Sequence, residues 1–424
     1  MKKQAAKINF AIEMKCMDGG QMIDKVTAVS DTAFFDSITE NNLAGCFQIT
    51  GKVISPINPK ATVSFKSAEI SKNRKTAVLT PADDTAYTNF PSTFAVTLTT
   101  QGKSFLGEAV NLSITSLTDS EADKWEKCPA PSDGTLYRLF VPDMSKYNKQ
   151  KSYPLIVLIH GAMEVDAADN HVQLVSWRVP AFASDEIQDI FGGLYVIAPR
   201  ISGANKTPEK IIATIEDAIK NNPKIDRNRI YIGGASLGGL CTWMLLLKYP
   251  GYFAAAFPMS ALISYRNGEI GLNNKDMPFI PGADLFTSFG TAASIAHIPI
   301  YIIHCIYDFA VDANLAIEIF NGMKAAGATK THITLFNSVR TREAKDLDTH
   351  WASINAFNNF PTILPEGGYV EDFYTGGLVE PKTYSPIPGI ELKGPRKAFE
   401  NAFSELPTDF GYKTFFHWIA DQKR

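Results

Sequence analysis

The residues best suited to chemistry lie in Arg229–Tyr249. Gly234-Ala235-Ser236-Leu237-Gly238 is a G-x-S-x-G, set between a short apolar strand, Ile230-Tyr231-Ile232, and an apolar helix. A serine on a sharp strand-to-helix turn is strained, exposed and close to a helix N-terminus. A weak alcohol nucleophile is presented in this way, with backbone N–H groups nearby to hold an oxyanion. The flanking glycines let a neighbouring strand and the helix pass close to the turn. The bare pattern arises by chance in roughly one such chain in ten, so the strand–turn–helix context carries the weight. A phosphate-binding loop is the main other use of such glycines. It needs G-x-x-x-x-G-K-[ST], and no Lys follows Gly238-Gly239.

A nucleophilic serine needs a base, and the base needs an orienter. On an elbow of this kind the three follow in the chain order Ser, acid, His. Asp308 lies a few residues beyond the apolar run Ile298–Ile303, where a loop can aim its carboxylate at an imidazole. His350 follows the last strand, His332–Phe336, and the polar loop 337–349. It is the expected base, taking the Ser236 proton and returning it to the leaving group. Asp312 is the rival acid, but it immediately precedes the helix starting at Ala313 and suits a cap. Asp348 stands too close to His350 in the chain. His297, His332 and His417 read as structural. The expected oxyanion donors are the N–H of Leu237 and that of Ala162, in the turn His160-Gly161-Ala162 after the strand ending at Ile159. His160 itself reads as support for that turn. The chemistry needs no metal or cofactor, and no ligand cluster suggests one.

The elements that must position these groups fall into two regions. Residues 1–122 carry short β-branched and apolar runs (Ile8–Ile12, Phe47–Ile54, Ala61–Phe65, Thr76–Thr80, Thr93–Thr99, Glu108–Ile114) separated by polar, Gly and Pro turns such as Thr100–Lys103. This spacing predicts an all-β sandwich. It leaves three roles open: a spacer, a binding module, or a surface that pairs subunits into a homo-oligomer. Residues 123–134 are polar, contain two prolines and read as a linker. From residue 135 to 424 strands alternate with helices. Leu136–Val141, Tyr153–Ile159, Leu194–Ala198, the elbow strand, Tyr252–Met259, Ile298–Ile303 and His332–Phe336 are the strands; Ile211, Ile212, Ile215 and Ile219 line one face of a helix starting at Pro208, and Ala313–Ala325 is another helix. The order predicts an α/β domain with a mostly parallel sheet covered by helices. The chemical residues fall at the carboxyl ends of its strands.

Composition bounds the function. The 424 residues are 45% hydrophobic and 20% charged with net charge −3, which argues against nucleic acid or a membrane as partner. No apolar run approaches the length of a bilayer span. The N-terminus has a basic start but no sustained apolar run or small-residue cleavage site. A cytoplasmic location is expected, or secretion if a leader has been removed. The five cysteines are scattered without metal-ligand spacing and read as free thiols.

The run Lys224–Gly239, KIDRNRIYIGGASLGG, resembles the elbow of bacterial serine hydrolases of the prolyl-oligopeptidase-like and polyhydroxybutyrate-depolymerase or feruloyl-esterase type, in the α/β-hydrolase superfamily. The turn His160-Gly161, the segment Tyr249–Ala255, the His304–Asp308 spacing and the ending Trp418–Arg424 are also similar. The resemblance covers about residues 135–350 and the last ten or so. Some members carry an immunoglobulin-like domain first, which fits the N-terminal region. The resemblance implies a triad of Ser236, Asp308 and His350 and hydrolysis of carboxylic esters, with a small-molecule or carbohydrate-linked ester as substrate. A peptidase of prolyl-oligopeptidase type and an inactive hydrolase-fold binding protein are the alternatives; the completeness of the triad argues against the second. Two features depart from the family. Thr349 stands where a glycine often precedes the His, and Trp351 follows His350 directly. Residues 360–410, rich in Pro and aromatics, read as an insertion that could cover the site, and Ile263–Ser294 as a second pocket wall.

Overall fold

The computed structural model describes residues 6–424 apart from 19, 52–61, 83–93, 108–109, 133, 163–170, 176–177, 202–207, 274–284, 307, 337–338, 341–345, 348 and 361–410. The expected insertion at 360–410 therefore lies almost wholly outside the described residues. The chain divides into two compact units, Met1–Lys124 and Trp125–Arg424.

The first unit is built from β1 (Ala6–Met17), β2 (Gly20–Ser30), β3 (Phe47–Thr50), β4 (Thr62–Val63), β5 (Phe65–Ile70), β6 (Thr76–Pro81), β7 (Ala95–Leu98) and β8 (Val110–Asp119). They form a five-stranded sheet, β5-β6-β2-β1-β8, and a three-stranded sheet, β4-β3-β7. Ile8, Phe10, Ile12 and Met14 alternate inward from β1 and share one core with Phe47 and Ile49 of β3. The Phe10 and Phe47 rings meet edge-on across the two sheets at 5.2 Å. This is a sandwich. Strand β2 is absent from the sequence reading because its alternation slips: Glu13 pairs Lys25 but Met14 pairs Ile23, so Asp24 bulges out of register. Thr100–Lys103 is also not a turn. It opens the helix α2 (Thr100–Leu106), which follows the short α1 (Glu40–Ala44). The Thr99 hydroxyl caps α2 by accepting from the Gly102 N–H at 3.0 Å.

The second unit holds an eight-stranded sheet. Its strands are β9 (Glu126–Pro129), β10 (Leu136–Phe140), β11 (Tyr153–Ile159), β12 (Tyr195–Pro199), β13 (Ile225–Ala235), β14 (Ala255–Met259), β18 (Ile300–Cys305) and β19 (Thr331–Phe336), in the order β19-β18-β14-β13-β11-β12-β10-β9. The six strands from β19 to β12 run parallel; β10 and β9 are an antiparallel edge. Every residue of β11, β12, β14 and β18 is buried, as parallel strands covered on both faces require. The expected linker 123–134 is thus corrected. Its residues Glu126–Pro129 are a sheet strand, and Trp125 packs on Phe140 at 5.5 Å. The segment reads as polar because an edge strand exposes its charged side chains, here Glu126 and Lys127.

The helices are α3 (His171–Val175), α4 (Asp185–Phe191), α5 (Pro208–Asn221), α6 (Leu237–Lys248), α7 (Ala292–Ile295), α8 (Ala313–Ala325), α9 (Ala352–Phe357) and, at the end of the chain, α10 (Phe415–Ala420). Helix α5 buries Ile211, Ile215 and Ile219 on one face. Helix α6 is apolar all round because it is buried all round. Between α6 and α8 lies a small antiparallel sheet of β15 (Ser264–Arg266), β16 (Glu269–Asn273) and β17 (Phe286–Thr291). It belongs to the segment expected to wall the pocket, and two of its contacts lie towards the far ends of α6 and α8. Gly290 sits against Leu247, eleven residues beyond Ser236, and Tyr265 lies over Gly322, ten beyond Asp312. At 1.5 Å per residue both contacts are on the order of 15 Å along their helices from the catalytic end. At the C-terminus the Tyr231 hydroxyl donates to the Gln422 carbonyl, and the rings of Phe415 and Trp418 flank Tyr301. Among the described residues no helix is long and apolar enough to cross a membrane.

Candidate active site

Ser236 is the single residue between β13 and α6, with φ 57° and ψ −114°. An L-residue with a side chain avoids this conformation, so the turn must be held from outside. The Ser236 N–H donates to the Met259 carbonyl of β14 at 2.9 Å, and its carbonyl accepts from Leu240. The surrounding glycines are required by packing. A methyl group on Gly238 would stand 2.0 Å from the Ile159 carbonyl oxygen, and one on Gly239 would stand 2.7 Å from the Ala261 Cβ. A serine at a helix N-terminus ordinarily serves as a cap. The Ser236 side chain makes no capping hydrogen bond to α6, which removes the ordinary structural reason for a serine here.

The same close packing brings in the second loop. Gly234 and Gly238 lie against the Ile159 carbonyl, and Gly238 also approaches that of His160. The chain then continues through Gly161 to Ala162, which is exposed. His160 is buried and bridges two loops. Its Nδ1 lies 2.7 Å from the Gly161 carbonyl oxygen, and its Nε2 accepts from the Ile201 N–H at 2.8 Å. That pattern needs the Nδ1–H tautomer. The expected oxyanion donors thus stand on two elements in contact: Leu237 in the first turn of α6, whose N–H has no partner within the helix, and Ala162 on the turn that the elbow glycines admit.

Gly238→Ala should test this packing. The added methyl must displace the Ile159–His160 backbone. A loss of about 3 kcal/mol in stability should accompany a fall of about 100-fold in turnover, read by thermal unfolding and by ester or arylamide hydrolysis. An unchanged melting temperature and rate would show that the two loops do not meet as described.

Asp308 and His350 meet. The His350 Nδ1 lies 2.9 Å from each Asp308 carboxylate oxygen. His350 stands in a single turn, Thr349–Trp351, that leads into α9, and the Phe309 ring flanks it edge-on at 5.9 Å. The Asp308 side chain is fully buried and that of His350 is 14% exposed. Oδ1 of Asp308 also accepts from the backbone N–H groups of Ala310 and Val311, each at 2.9 Å. Burial alone would raise the Asp308 carboxyl. The charge of the His350 imidazole and hydrogen bonds from His304 and His350 outweigh it and hold the carboxyl well below its ordinary value. Asp312 has the other job: its side chain accepts from the Asn314 N–H and caps α8.

Three further imidazoles are occupied elsewhere. His297 bonds the Pro250 carbonyl and His417 bonds Thr414. His332 packs between the Tyr301 and Trp418 rings, and burial pushes it down to about 4. Asp348 lies outside the described residues. One group near the site has no role in the sequence reading: His304, buried on β18, with its Nε2 3.3 Å from Asp308 Oδ2. The available signal was chemical. An imidazole inside the apolar run IPIYIIHC needs a polar partner, and Asp308 is four residues on. Among the described residues no group of three or more His, Cys, Asp or Glu is gathered to hold a metal ion, and none of the five cysteines is in a disulfide.

Residues 202–337, spanning Ser236 and Asp308 but not His350, match the prolyl oligopeptidase family. The chain is a serine hydrolase of the esterase/peptidase type. No curated protein matches it. Among solved structures the hydrolase is similar to a thermostable esterase, with a TM-score of 0.54 at 17% identity over 84% of this chain and 96% of that one. This likeness establishes the α/β-hydrolase fold. A ferulic acid esterase (TM-score 0.37, 18% identity, 55% of this chain and 93% of that one) and the acylaminoacyl peptidase of Pyrococcus horikoshii (TM-score 0.36, 14% identity, 55% of this chain and 39% of that one) are more distant.

Proposed function

We propose that this hydrolase cleaves carboxylic esters through an acyl-enzyme intermediate, with Ser236 as nucleophile, His350 as general base and acid, and Asp308 as its orienter. The observation that carries the reading is the His350 Nδ1 held at 2.9 Å from both oxygens of a buried Asp308. A carboxylate on Nδ1 keeps the proton there and makes Nε2 the basic nitrogen that accepts one. In the first half-reaction the Ser236 hydroxyl attacks the ester carbonyl, its proton passes to His350 Nε2, and the Leu237 and Ala162 N–H groups stabilise the oxyanion. His350 then protonates the departing alcohol. Water, activated by the same imidazole, releases the acid.

Ester rather than amide cleavage is supported by the sequence resemblance to feruloyl esterases and polyhydroxybutyrate depolymerases. The match of residues 202–337 to the prolyl oligopeptidase family favours a second reading, a serine peptidase. The two separate on a panel of p-nitrophenyl acyl esters, feruloyl and acetyl sugars, and aminoacyl-arylamides. Esters should be turned over and arylamides left intact; faster arylamide cleavage would decide for the peptidase. Pairing of subunits through the N-terminal sandwich is one of its three open roles, beside spacer and binding module, and sedimentation of the whole chain would test it.

A further inference from the structure

We infer that His304 is a positioning residue for the catalytic acid: a second imidazole that donates to Asp308 and ties its loop to the end of β18. This inference rests on the reading of Ser236, Asp308 and His350 as a triad. The His304 side chain is fully buried, as is that of Asp308. Its Nε2 lies 3.1 Å from the Val311 carbonyl oxygen and 3.3 Å from Asp308 Oδ2. Both neighbours are acceptors, so either contact is a hydrogen bond only if the proton is on Nε2. Among the described residues Nδ1 is buried without a partner, so the ring has one useful donor and directs it at the acid and its loop.

The consequences follow from the geometry of the loop. Asp308 lies just beyond the end of β18 at Cys305, and α8 begins at Ala313. The Asp308 N–H returns to the Cys305 carbonyl, and Asp308 Oδ1 accepts from Ala310 and Val311. His304, on the rigid strand, then clamps the far side through the Val311 carbonyl. Asp308 Oδ2 is shared between two imidazoles, His304 from the strand and His350 from the turn before α9. A donor on Oδ2 fixes the carboxylate plane and draws off negative charge that would otherwise stabilise the His350 imidazolium. His304 therefore sets both where the acid points and how basic His350 becomes. The titratable groups acting on Asp308 are these two imidazoles. Of the neighbours, Asp312 caps α8 and His332 of β19 stands between aromatic rings; β14 carries no titratable side chain.

The experiment is the pH dependence of Ser236 labelling by a fluorophosphonate probe, which does not depend on the natural substrate. It compares the wild type with His304→Leu and His304→Gln. Leucine removes the donor at similar volume; glutamine offers an N–H at the reach of Nε2. His304→Leu should label about tenfold more slowly at neutral pH, and its acidic limb should move up by about one pH unit, because an undonated carboxylate holds the imidazolium more tightly. His304→Gln should return the limb towards the wild type. A role in packing alone would lower the melting temperature of both variants and leave the limb in place. An unmoved limb in His304→Leu, or an equal shift in both variants, would overturn the inference. A wild type that does not label would instead sink the triad reading beneath it. Should His304→Leu fail to fold, histidine 15N NMR of the wild type decides: a proton on His304 Nε2 is expected, and a proton on Nδ1 overturns the proposal.

Discussion

Ser236→Ala should abolish hydrolysis, with a loss of about 10^6-fold in kcat, while leaving the fold and its stability almost unchanged. The first half follows from the proposed role: without the alkoxide there is no acyl-enzyme, and only the oxyanion donors and substrate binding remain. The second follows from the structure. The side chain does not cap α6, and the elbow is fixed by main-chain bonds from Ser236 to Met259 and Leu240 that alanine keeps. Ser236→Gly sharpens the test. Residue 236 sits at φ 57°, where a side chain costs on the order of 1–3 kcal/mol. Glycine removes that strain and adds about 0.5–1 kcal/mol of chain entropy to the unfolded state. The inactive Gly variant should therefore be more stable than the wild type by about 1 kcal/mol. Calorimetry with fluorophosphonate labelling reads both effects. A Ser236→Ala protein that still labels, or one that is inactive and badly destabilised, would return Ser236 to a structural role.

The elbow was legible because its chemistry is local: five residues, a strand before and a helix after. Asp308 and His350 were legible for a different reason. Chain order and position after a strand select them, and the sheet order β19-β18-β14-β13 sets those strand ends side by side with the elbow. What the sequence reading missed depends on neighbours far along the chain. Glu126–Pro129 reads as linker until it is paired with β10. Strand β2 hides behind a bulge whose cause lies in its pairing with β1. The polar run Thr100–Lys103 reads as a turn until the Thr99 cap and the fit of Gly102 against the Cys46 carbonyl make it a helix. Segment 263–294 is in the right place along the chain to wall a pocket, yet β17 folds back to the far end of α6. His304 is a milder case. Its spacing to Asp308 is visible in the sequence, but its partner becomes evident only when the loop closes through Val311.

Asp308→Asn should lower kcat about 10^4-fold and should also change how stability responds to acid. The catalytic loss comes from a conflict of donors. Oδ1 already accepts two backbone N–H groups, from Ala310 and Val311, and an amide NH2 cannot replace it there. Asparagine must keep its oxygen at Oδ1 and set its NH2 at Oδ2, facing His350 Nδ1 and His304 Nε2. If the amide donates to His350 Nδ1, the imidazole carries its proton on Nε2 and cannot accept one from Ser236. The His304 Nε2 proton then points at another donor, and the buried bonds lost should cost about 2 kcal/mol at neutral pH. The acid response follows from the depressed carboxyl of Asp308. A group whose pKa is lower folded than unfolded contributes stability that is complete above its unfolded value, about 3.9 for Asp. That contribution is lost as pH falls below this value towards the folded one. The wild type should therefore lose its advantage over Asp308→Asn between about pH 4 and pH 2, and denaturant midpoints of the two proteins should converge there. A stability difference that stays constant from neutral to acid pH would mean that Asp308 is not held ionised by His350 and His304, and a kcat within tenfold of the wild type would mean that His350 keeps its tautomer without it.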